Sequence, residues 1–185
     1  MGALIYGFNT SLDGYIEDAS GSFDWTEPNA EVHKFWNDFE RSIGLHLYGR
    51  RLYETMQYWE TAHEQPGQTD YTLEYARIWQ DSDKLVYSTT LTEPATKRTR
   101  IARSFDPAEV ARLKVESATD ISIGGAELAA HAIRGGLVDR YCQVIIPVIV
   151  GGGKPWLPKG VRIDLKLIEE RRFANGAQYL AYAAR

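Results

Sequence analysis

The sequence predicts an α/β fold with a mixed, mostly parallel sheet flanked by helices. Short apolar runs typical of buried strands alternate with segments whose apolar residues recur at helical spacing. Such alternation favours parallel βαβ units. Near the end of the chain, Asn175-Gly176 separates two strand-like runs and predicts an antiparallel hairpin. We therefore expect a single domain over residues 1–185, with the hairpin added at one edge of the sheet.

The strands are predicted from apolar runs bounded by turn-forming residues. They are expected at Ala3–Phe8, Leu45–Tyr48, Lys84–Ser88, Arg98–Arg103, Asp120–Ile123, Arg140–Val150, Ile163–Arg172 and Gln178–Ala183. Between Ala3–Phe8 and the next element, Asn9–Pro28 is rich in Gly, Asp, Ser and Asn. A loop of this length is typically functional, and we expect it to close over a site.

The helices are predicted from apolar spacing and from end signals. They are expected from a cap at Asn29 to about Ser42, and at Arg50–Trp59, Tyr71–Gln80, Pro107–Glu116 and Ala126–Ile133. Asn29 and Asp106 are side chains that cap helix N-termini, and Pro107 suits the first helical position. The polar segment Glu60–Asp70, which contains Pro66-Gly67, is expected to be a loop.

Two glycine turns carry the main functional signal. Gly49 ends one predicted strand and Gly124-Gly125 ends another, and a helix follows each turn. A helix N-terminus offers free N–H groups and the positive end of the helix dipole, so it can hold a phosphate. Glycine allows the backbone to approach the ligand closely. Two such turns on one sheet indicate a dinucleotide and therefore a redox enzyme.

Composition excludes several other classes of function. The net charge of −4 favours neither nucleic acid nor an anionic membrane. No apolar run approaches the ~20 residues of a membrane span, and the absence of a secretion signal favours the cytoplasm. Cys142 is the single cysteine, and the four histidines lack metal-binding spacing, so no metal site is expected.

The basic cluster Lys97–Arg103 has two interpretations. Charged residues are typical of a solvated edge strand, and this interpretation is favoured. The alternative is a partner for the phosphate of an adenosine nucleotide.

Six segments occur in an order that resembles a known family. They are Ser11-Leu12-Asp13-Gly14-Tyr15-Ile16, Gly49-Arg50-Arg51-Leu52-Tyr53-Glu54, Val86-Tyr87-Ser88-Thr89, Ile123-Gly124-Gly125, Gly136-Leu137-Val138-Asp139 and Pro147-Val148-Ile149-Val150-Gly151-Gly152-Gly153-Lys154-Pro155. Together they resemble the dihydrofolate-reductase-like family, in the branch that includes the reductase domain of riboflavin-biosynthesis deaminase/reductases. The resemblance covers nearly the whole chain and is closest to stand-alone bacterial members.

The resemblance implies NADPH as the hydride donor. The residues at cofactor positions are Asn9, Ile16, Gly49, Arg50, Arg51, Ser88, Thr89, Ile123, Gly124, Gly125, Ala126, Glu127 and Leu128. Arg50 matches the arginine for the 2′-phosphate, beside the hydroxyls of Ser88 and Thr89. A surface role for Arg50 is disfavoured because a cation at a helix N-terminus is unfavourable without an anion. The chain departs from the family pattern at two positions. Glu127 replaces a frequent Arg and Leu52 replaces a frequent Thr, and each change removes a possible contact to phosphate.

The resemblance also suggests residues for substrate and proton transfer. Glu31 lies near the family's pteridine-binding carboxylate, and Asp13 is a second acid near the expected mouth of the site. Glu31 is equally explained as an acid in the first turn of a helix. Phe35, Met56 and Trp59 are expected to form an apolar wall for the substrate, although core packing explains them equally well.

The resulting hypothesis is an NADPH-dependent reductase that transfers a hydride to a small heterocyclic substrate or to another C=N or C=O compound. The riboflavin-pathway aminopyrimidine is the first candidate substrate and a folate-type pterin is the second. A non-catalytic nucleotide-binding or structural protein on the same fold is the competing class, and a flavin-dependent enzyme is a third. The resemblance and the apolar C-terminal strands also suggest a homodimer.

Overall fold

An eight-stranded sheet forms the centre of the fold in a computed structural model that describes residues 1–185. The strands are β1 (Leu4–Ser11), β2 (Tyr15–Glu17), β3 (Ile43–Gly49), β4 (Asp83–Tyr87), β5 (Thr99–Ala102), β6 (Asp120–Gly124), β7 (Arg140–Ile146), β8 (Lys154–Pro155), β9 (Leu165–Arg172) and β10 (Gln178–Ala184). The helices are α1 (Ala30–Glu40), α2 (Arg50–Met56), α3 (Tyr58–Thr61), α4 (Asp70–Asp81), α5 (Pro107–Glu116) and α6 (Ala126–Arg134).

The topology of the sheet confirms the predicted fold class. The strand order is β5-β4-β3-β6-β1-β7-β10-β9, and the six strands from β5 to β7 run parallel. β10 is antiparallel to both β7 and β9, so the C-terminal hairpin forms one edge. The hairpin turn contains Gly176 with a φ of 88°, a conformation that glycine adopts without steric cost. β2 and β8 form a separate two-stranded sheet.

Several predicted boundaries differ from the structure. The expected loop Glu60–Asp70 includes the end of α3 and one 3₁₀ turn at Ala62–Glu64. The apolar run Arg140–Val150 forms a strand only to Ile146, because Pro147 has no backbone N–H to donate. The segment expected to be a helix over Arg50–Trp59 is divided at Gln57 into α2 and α3. Part of the expected loop Asn9–Pro28 is strand, because β1 pairs with β7 as far as Ser11 and β2 pairs with β8.

The core lies on both faces of the sheet, as side-chain alternation along the strands requires. In β1, Leu4 and Tyr6 face the layer of α5 and α6, whereas Ile5 faces the layer that contains α1. α1 begins after Asn29, whose side chain accepts a hydrogen bond from the Val32 N–H, and α5 begins after Asp106 and Pro107. None of the helices combines the length and the apolar character that a membrane span requires.

Candidate active site

A large cavity opens where β1, β3, β4 and β6 approach their carboxyl ends. Its volume is about 1020 Å³, and its walls come from these strands, the loops that follow them, and helices on both faces. The carboxyl ends of parallel strands are the usual ligand-binding edge of an open α/β sheet. This cavity is therefore the candidate active site.

The two glycine turns meet at this cavity. β3 and β6 are parallel neighbours in which Tyr48 pairs with Gly124, so the turns that follow them lie side by side. Gly125 has a φ of 93°, and a Cβ built on it would lie 3.7 Å from the Gly49 nitrogen. The first turns of α2 and α6 consequently point their free N–H groups toward one region of the cavity. This region has the features of an anion-binding site.

Cationic and hydroxyl groups border the glycine turns. β3 and β4 are also parallel neighbours, with Gly49 opposite Tyr87, so Arg50 and Ser88 begin adjacent loops. Arg50, Arg51, Ser88 and Thr89 all line the cavity. Arg50 donates to Glu54 across one helical turn at 3.1 Å, and both side chains are about half exposed, so this ion pair is readily exchanged for another anion.

The predicted cofactor positions are brought together in the lining. Asn9, Ile16, Gly49, Arg50, Arg51, Ser88, Thr89, Ile123, Gly124, Gly125, Ala126, Glu127 and Leu128 all contribute to it. Leu52 packs against Gly124, where a Cβ would collide with its Cδ2 atom. Leu52, which departs from the family pattern, therefore fills the space beside the turn, and glycine at position 124 avoids a collision with it.

Arg103, from the end of the basic cluster, also reaches the cavity. Its Nη1 donates to the carbonyl oxygens of Ser88 at 3.0 Å and Leu91 at 2.6 Å, which fixes the loop after β4. β5 itself is one of the two edge strands of the sheet, as the favoured interpretation of the cluster predicts. The cluster thus combines an edge strand with one arginine beside the candidate phosphate region.

An aromatic group that the sequence analysis missed lies beside this region. Tyr87, Phe105 and His131 line the cavity, with ring centroids 5.5 Å apart for Tyr87 and Phe105 and 5.8 Å apart for Phe105 and His131. Their flat surfaces suit stacking against a planar base. They come from a strand, a loop and a helix, so no local motif marks them in the sequence.

The other part of the cavity is an aromatic slot. Its wall includes Trp36 and Phe39 of α1, Tyr48 of β3, Met56 and Trp59 after the glycine turn, and Tyr75 of α4. Trp59 and Tyr75 pack with centroids 4.5 Å apart. Asn9 braces this wall, since its Oδ1 accepts a hydrogen bond of 2.8 Å from the Trp36 indole. A slot of this composition suits a small planar ring.

Sequence comparison places the chain in a family. The profile of the RibD C-terminal domain matches residues 3–179. The chain belongs to the RibD C-terminal domain family. It is 31% identical over 181 residues to the uncharacterised protein YyaP of Bacillus subtilis (strain 168). The aligned region covers 97% of this chain and 93% of YyaP.

Solved structures show the same fold for this RibD C-terminal domain protein. A putative riboflavin biosynthesis protein from Shewanella sp. PV-4 superposes with a TM-score of 0.77 at 19% identity, over 99% of both chains. A diaminohydroxyphosphoribosylaminopyrimidine deaminase/5-amino-6-(5-phosphoribosylamino)uracil reductase from Thermotoga maritima has a TM-score of 0.68 at 12% identity. All of this chain matches 57% of that longer protein.

The two acids expected to act in catalysis do not reach the cavity of this RibD C-terminal domain protein. The Glu31 carboxylate faces the C-terminal hairpin, where it accepts from the Ala174 N–H at 2.9 Å and lies 3.5 Å from Arg171. The exposed Asp13 carboxylate accepts from the Gly151 N–H at 2.8 Å and braces a loop. Hydrogen bonding, first of all with Ser11, lowers the pKa of Asp13.

Phe35 also lies outside the slot, whereas Met56 and Trp59 line it. α1 turns Phe35 toward the second layer of the core, where its ring lies 5.4 Å from Phe173 and 4.5 Å from Tyr179. The adjacent Trp36 faces the cavity instead. One residue along a helix changes the direction of a side chain by about 100°, so apolar spacing alone does not identify which aromatic residue lines the slot.

Glu40, at the end of α1, is an acid of the slot that the sequence analysis missed. It lines the cavity, and its Oε2 atom is buried without a hydrogen-bond partner. Burial raises the pKa of Glu40 to about 8. Its nearest basic group is the buried His46, whose Nε2 lies 3.8 Å from that oxygen. Burial and the nearby Lys84 lower the pKa of His46 to about 3, so the ring is neutral and offers no counter-charge.

Proposed function

We propose that this protein is an NADPH-dependent reductase that transfers a hydride to a small planar heterocycle of the pterin or aminopyrimidine kind, or to another C=N or C=O compound. The observation that carries the proposal is one cavity that joins two glycine turns and an arginine-rich border to an aromatic slot. Membership in the RibD C-terminal domain family supports the assignment to the oxidoreductases. The proposed unit is one reductase domain over residues 1–185.

The residues around the glycine turns fit NADPH. The N–H groups at the start of α6, beside Gly124 and Gly125, suit a pyrophosphate, because no side chain of Gly125 fills the space there. Arg50, with Ser88 and Thr89, suits the 2′-phosphate, since guanidinium binds phosphate through paired hydrogen bonds. Phe105 and His131 suit the adenine ring. When bound, NADPH supplies a hydride.

The charges of the cavity favour an uncharged substrate over a phosphorylated one. Arg50, Arg51 and Arg103 lie on the loops around Ser88 and the glycine turns. Of the other cations in the lining, Lys154 is paired with Glu17 at 3.1 Å. Burial lowers the pKa of His33, which keeps that ring neutral in the aromatic slot. A free pterin or aminopyrimidine ring therefore suits the slot better than a phosphoribosylated one.

Titration with NADPH and NADH tests the proposal. Trp36 and Trp59 line the slot, so cofactor binding is expected to quench tryptophan fluorescence. We expect micromolar binding of NADPH and weaker binding of NADH. Gly125→Val is expected to abolish binding, because its side chain would enter the proposed pyrophosphate region. Gly67→Val is the matched control, since Gly67 has a similar φ of 77° but lies outside the cavity.

Three results would contradict the proposed function. If neither NADPH nor NADH binds, the result would favour a protein that uses this fold without the cofactor. Binding without NADPH oxidation in a screen of pterins, aminopyrimidines, imines and carbonyl compounds would favour the non-catalytic alternative. A yellow, flavin-containing protein would instead support the flavin-dependent alternative.

We also propose that the protein is a homodimer. β9 is an edge strand of the sheet and is exposed along most of its length, including Leu167 at 44% and Ile168 at 48% of their surface. An edge of this kind presents unpaired backbone groups that a second copy of the same strand can pair with.

A further inference from the structure

The aromatic slot contains one acid that has no charged partner. Three carboxylates line the cavity: Glu17, Glu40 and Glu127. Glu17 is paired with Lys154 at 3.1 Å, and Glu127 is exposed in the first turn of α6. Glu40 differs from both because its side chain is only 16% exposed and its Oε2 atom has no hydrogen-bond partner.

The groups that face Glu40 keep it without a counter-charge. From β3 they are His46 and Tyr48, and from α4 Tyr75. His33, two turns earlier on the same helix, lines the same cavity. Burial raises the pKa of both Tyr48 and Tyr75, and it lowers the pKa of both His33 and His46, so all four are neutral near pH 7.

Two neighbouring cations are held by other groups, and burial lowers the pKa of one of them, Lys84, to about 8. Behind His46, the Lys84 ammonium donates to the Ser82 carbonyl at 3.0 Å and lies 4.0 Å from the centre of the Trp79 ring. Arg41, the residue after Glu40, pairs with Asp38 and Glu74 on the outer side of α1. An unpaired carboxyl in such surroundings is more stable when it carries its proton.

We propose that Glu40 is the catalytic proton donor of the reductase reaction, so the inference rests on the proposed function. As the substrate carbon gains the hydride, the electron pair of the C=N or C=O bond moves to the nitrogen or oxygen. That atom takes the proton of Glu40, so that an N–H or O–H bond forms and the carboxyl O–H bond breaks. NADPH is oxidised to NADP⁺, Glu40 becomes a carboxylate, and water entering the cavity restores its proton after product release.

A protonated carboxyl near pH 7 is testable without any substrate or cofactor. The infrared spectrum of the wild-type protein is expected to contain the C=O stretch of a protonated acid that disappears as the pH rises through about 8. Glu40→Gln is expected to remove this band. Asp38→Asn, an exposed acid on the same helix, is expected to leave it unchanged. A spectrum in which the Glu40 carboxyl ionises at ordinary acidic pH would overturn the proposal.

Turnover tests the catalytic role with the substrate found in the screen. Glu40→Gln is expected to lower kcat between about 100-fold and 10,000-fold while leaving the dissociation constant of NADPH unchanged. The wild-type kcat is expected to fall as the pH rises through about 8, and the residual activity of Glu40→Gln is expected to lose this dependence. Glu40→Asp keeps an acid at this position and is expected to restore part of the rate and its pH dependence.

The outcomes separate this inference from the proposed function. If Glu40→Gln keeps the wild-type rate or the wild-type pH profile, the role of Glu40 is refuted and the reductase assignment stands. If the wild-type protein does not bind NADPH or does not oxidise it with any compound of the screen, the proposed function fails and the role of Glu40 fails with it.

Discussion

Burial distinguishes Glu40 from the acids that the sequence suggested. Glu31 is half-buried and Asp13 is exposed, and each carboxylate accepts hydrogen bonds from backbone N–H groups of a neighbouring loop. The Glu40 carboxyl lies against aromatic rings at the end of α1 and lacks such donors. A side chain that is buried without donors or a counter-charge retains its proton to higher pH. The surroundings of the carboxyl group, rather than its place in a sequence motif, therefore distinguish Glu40 from these two acids.

The raised pKa of Glu40 predicts how the stability of the protein depends on pH. Its folded pKa is about 8, above the ordinary value of 4.5. The stabilisation given by the protonated form is fully present below the unfolded pKa and is lost as the pH rises to the folded pKa. Glu40→Gln cannot ionise and lacks this loss. The difference in the free energy of unfolding, variant minus wild type, is therefore expected to rise between about pH 4.5 and pH 8 and to stay constant above that range.

Urea unfolding at about pH 5, 7 and 9 measures this difference. The titration of His46, whose pKa is lowered, affects both proteins and largely cancels when they are compared. Asp38→Asn serves as the control and is expected to differ from wild type by a nearly constant amount. A constant difference for Glu40→Gln as well would mean that Glu40 ionises in its ordinary range.

At the scale of elements, α2 places two cations where a helix alone disfavours them. This seven-residue helix starts with Arg50 and Arg51, at the positive end of its dipole. Glu54 compensates Arg50 only partly, because the pair is about half exposed. A bound phosphate at this end would stabilise both the helix and the arginines.

Arg50→Ala is expected to remove the preference for NADPH over NADH. A charge-assisted hydrogen bond contributes roughly 1.5–3 kcal/mol, which corresponds to about a tenfold or greater loss of NADPH affinity. NADH lacks the 2′-phosphate, so its affinity is expected to change little. Fluorescence titration of both dinucleotides measures the ratio, and Arg112→Ala on the exposed side of α5 is the control. An unchanged ratio would exclude Arg50 as the 2′-phosphate ligand.

Local signals predicted the elements of this fold better than the direction of individual side chains. Asn29, Asp106 and Pro107 begin helices as expected, and Asn175-Gly176 forms the hairpin turn, because each acts through neighbouring backbone atoms. Phe35 and Trp36 are both apolar residues of α1, but only the packing of α1 on the sheet decides which faces the cavity. In the sequence, Glu40 cannot be distinguished from any other acid at the end of a helix, because its burial depends on residues of β3 and α4.

At the scale of the whole molecule, the strand order assembles the site from distant parts of the chain. β4, β3, β6 and β1 are consecutive neighbours in the sheet although they are separated in sequence by other elements. Their carboxyl ends therefore bring together Ser88, Gly49, Gly124 and Asn9. The sequence predicts the individual turns from local patterns, whereas the stacking group of Phe105 and His131 exists only once this order is formed.

The order of charged residues along the edge strand β9 predicts how two copies of the protein would pair. Its charges follow the order Glu169, Glu170, Arg171 and Arg172, all on exposed positions. In an antiparallel two-fold pairing centred between Glu170 and Arg171, each glutamate lies opposite an arginine of the other copy, which makes the edge self-complementary.

Light scattering after size-exclusion chromatography is expected to give twice the monomer mass. Arg172→Glu is expected to weaken the dimer by opposing like charges, and Glu169→Arg combined with Arg172→Glu is expected to restore it. A monomeric wild-type protein would refute the dimer, whereas a dimer that persists in Arg172→Glu would place the interface on another surface.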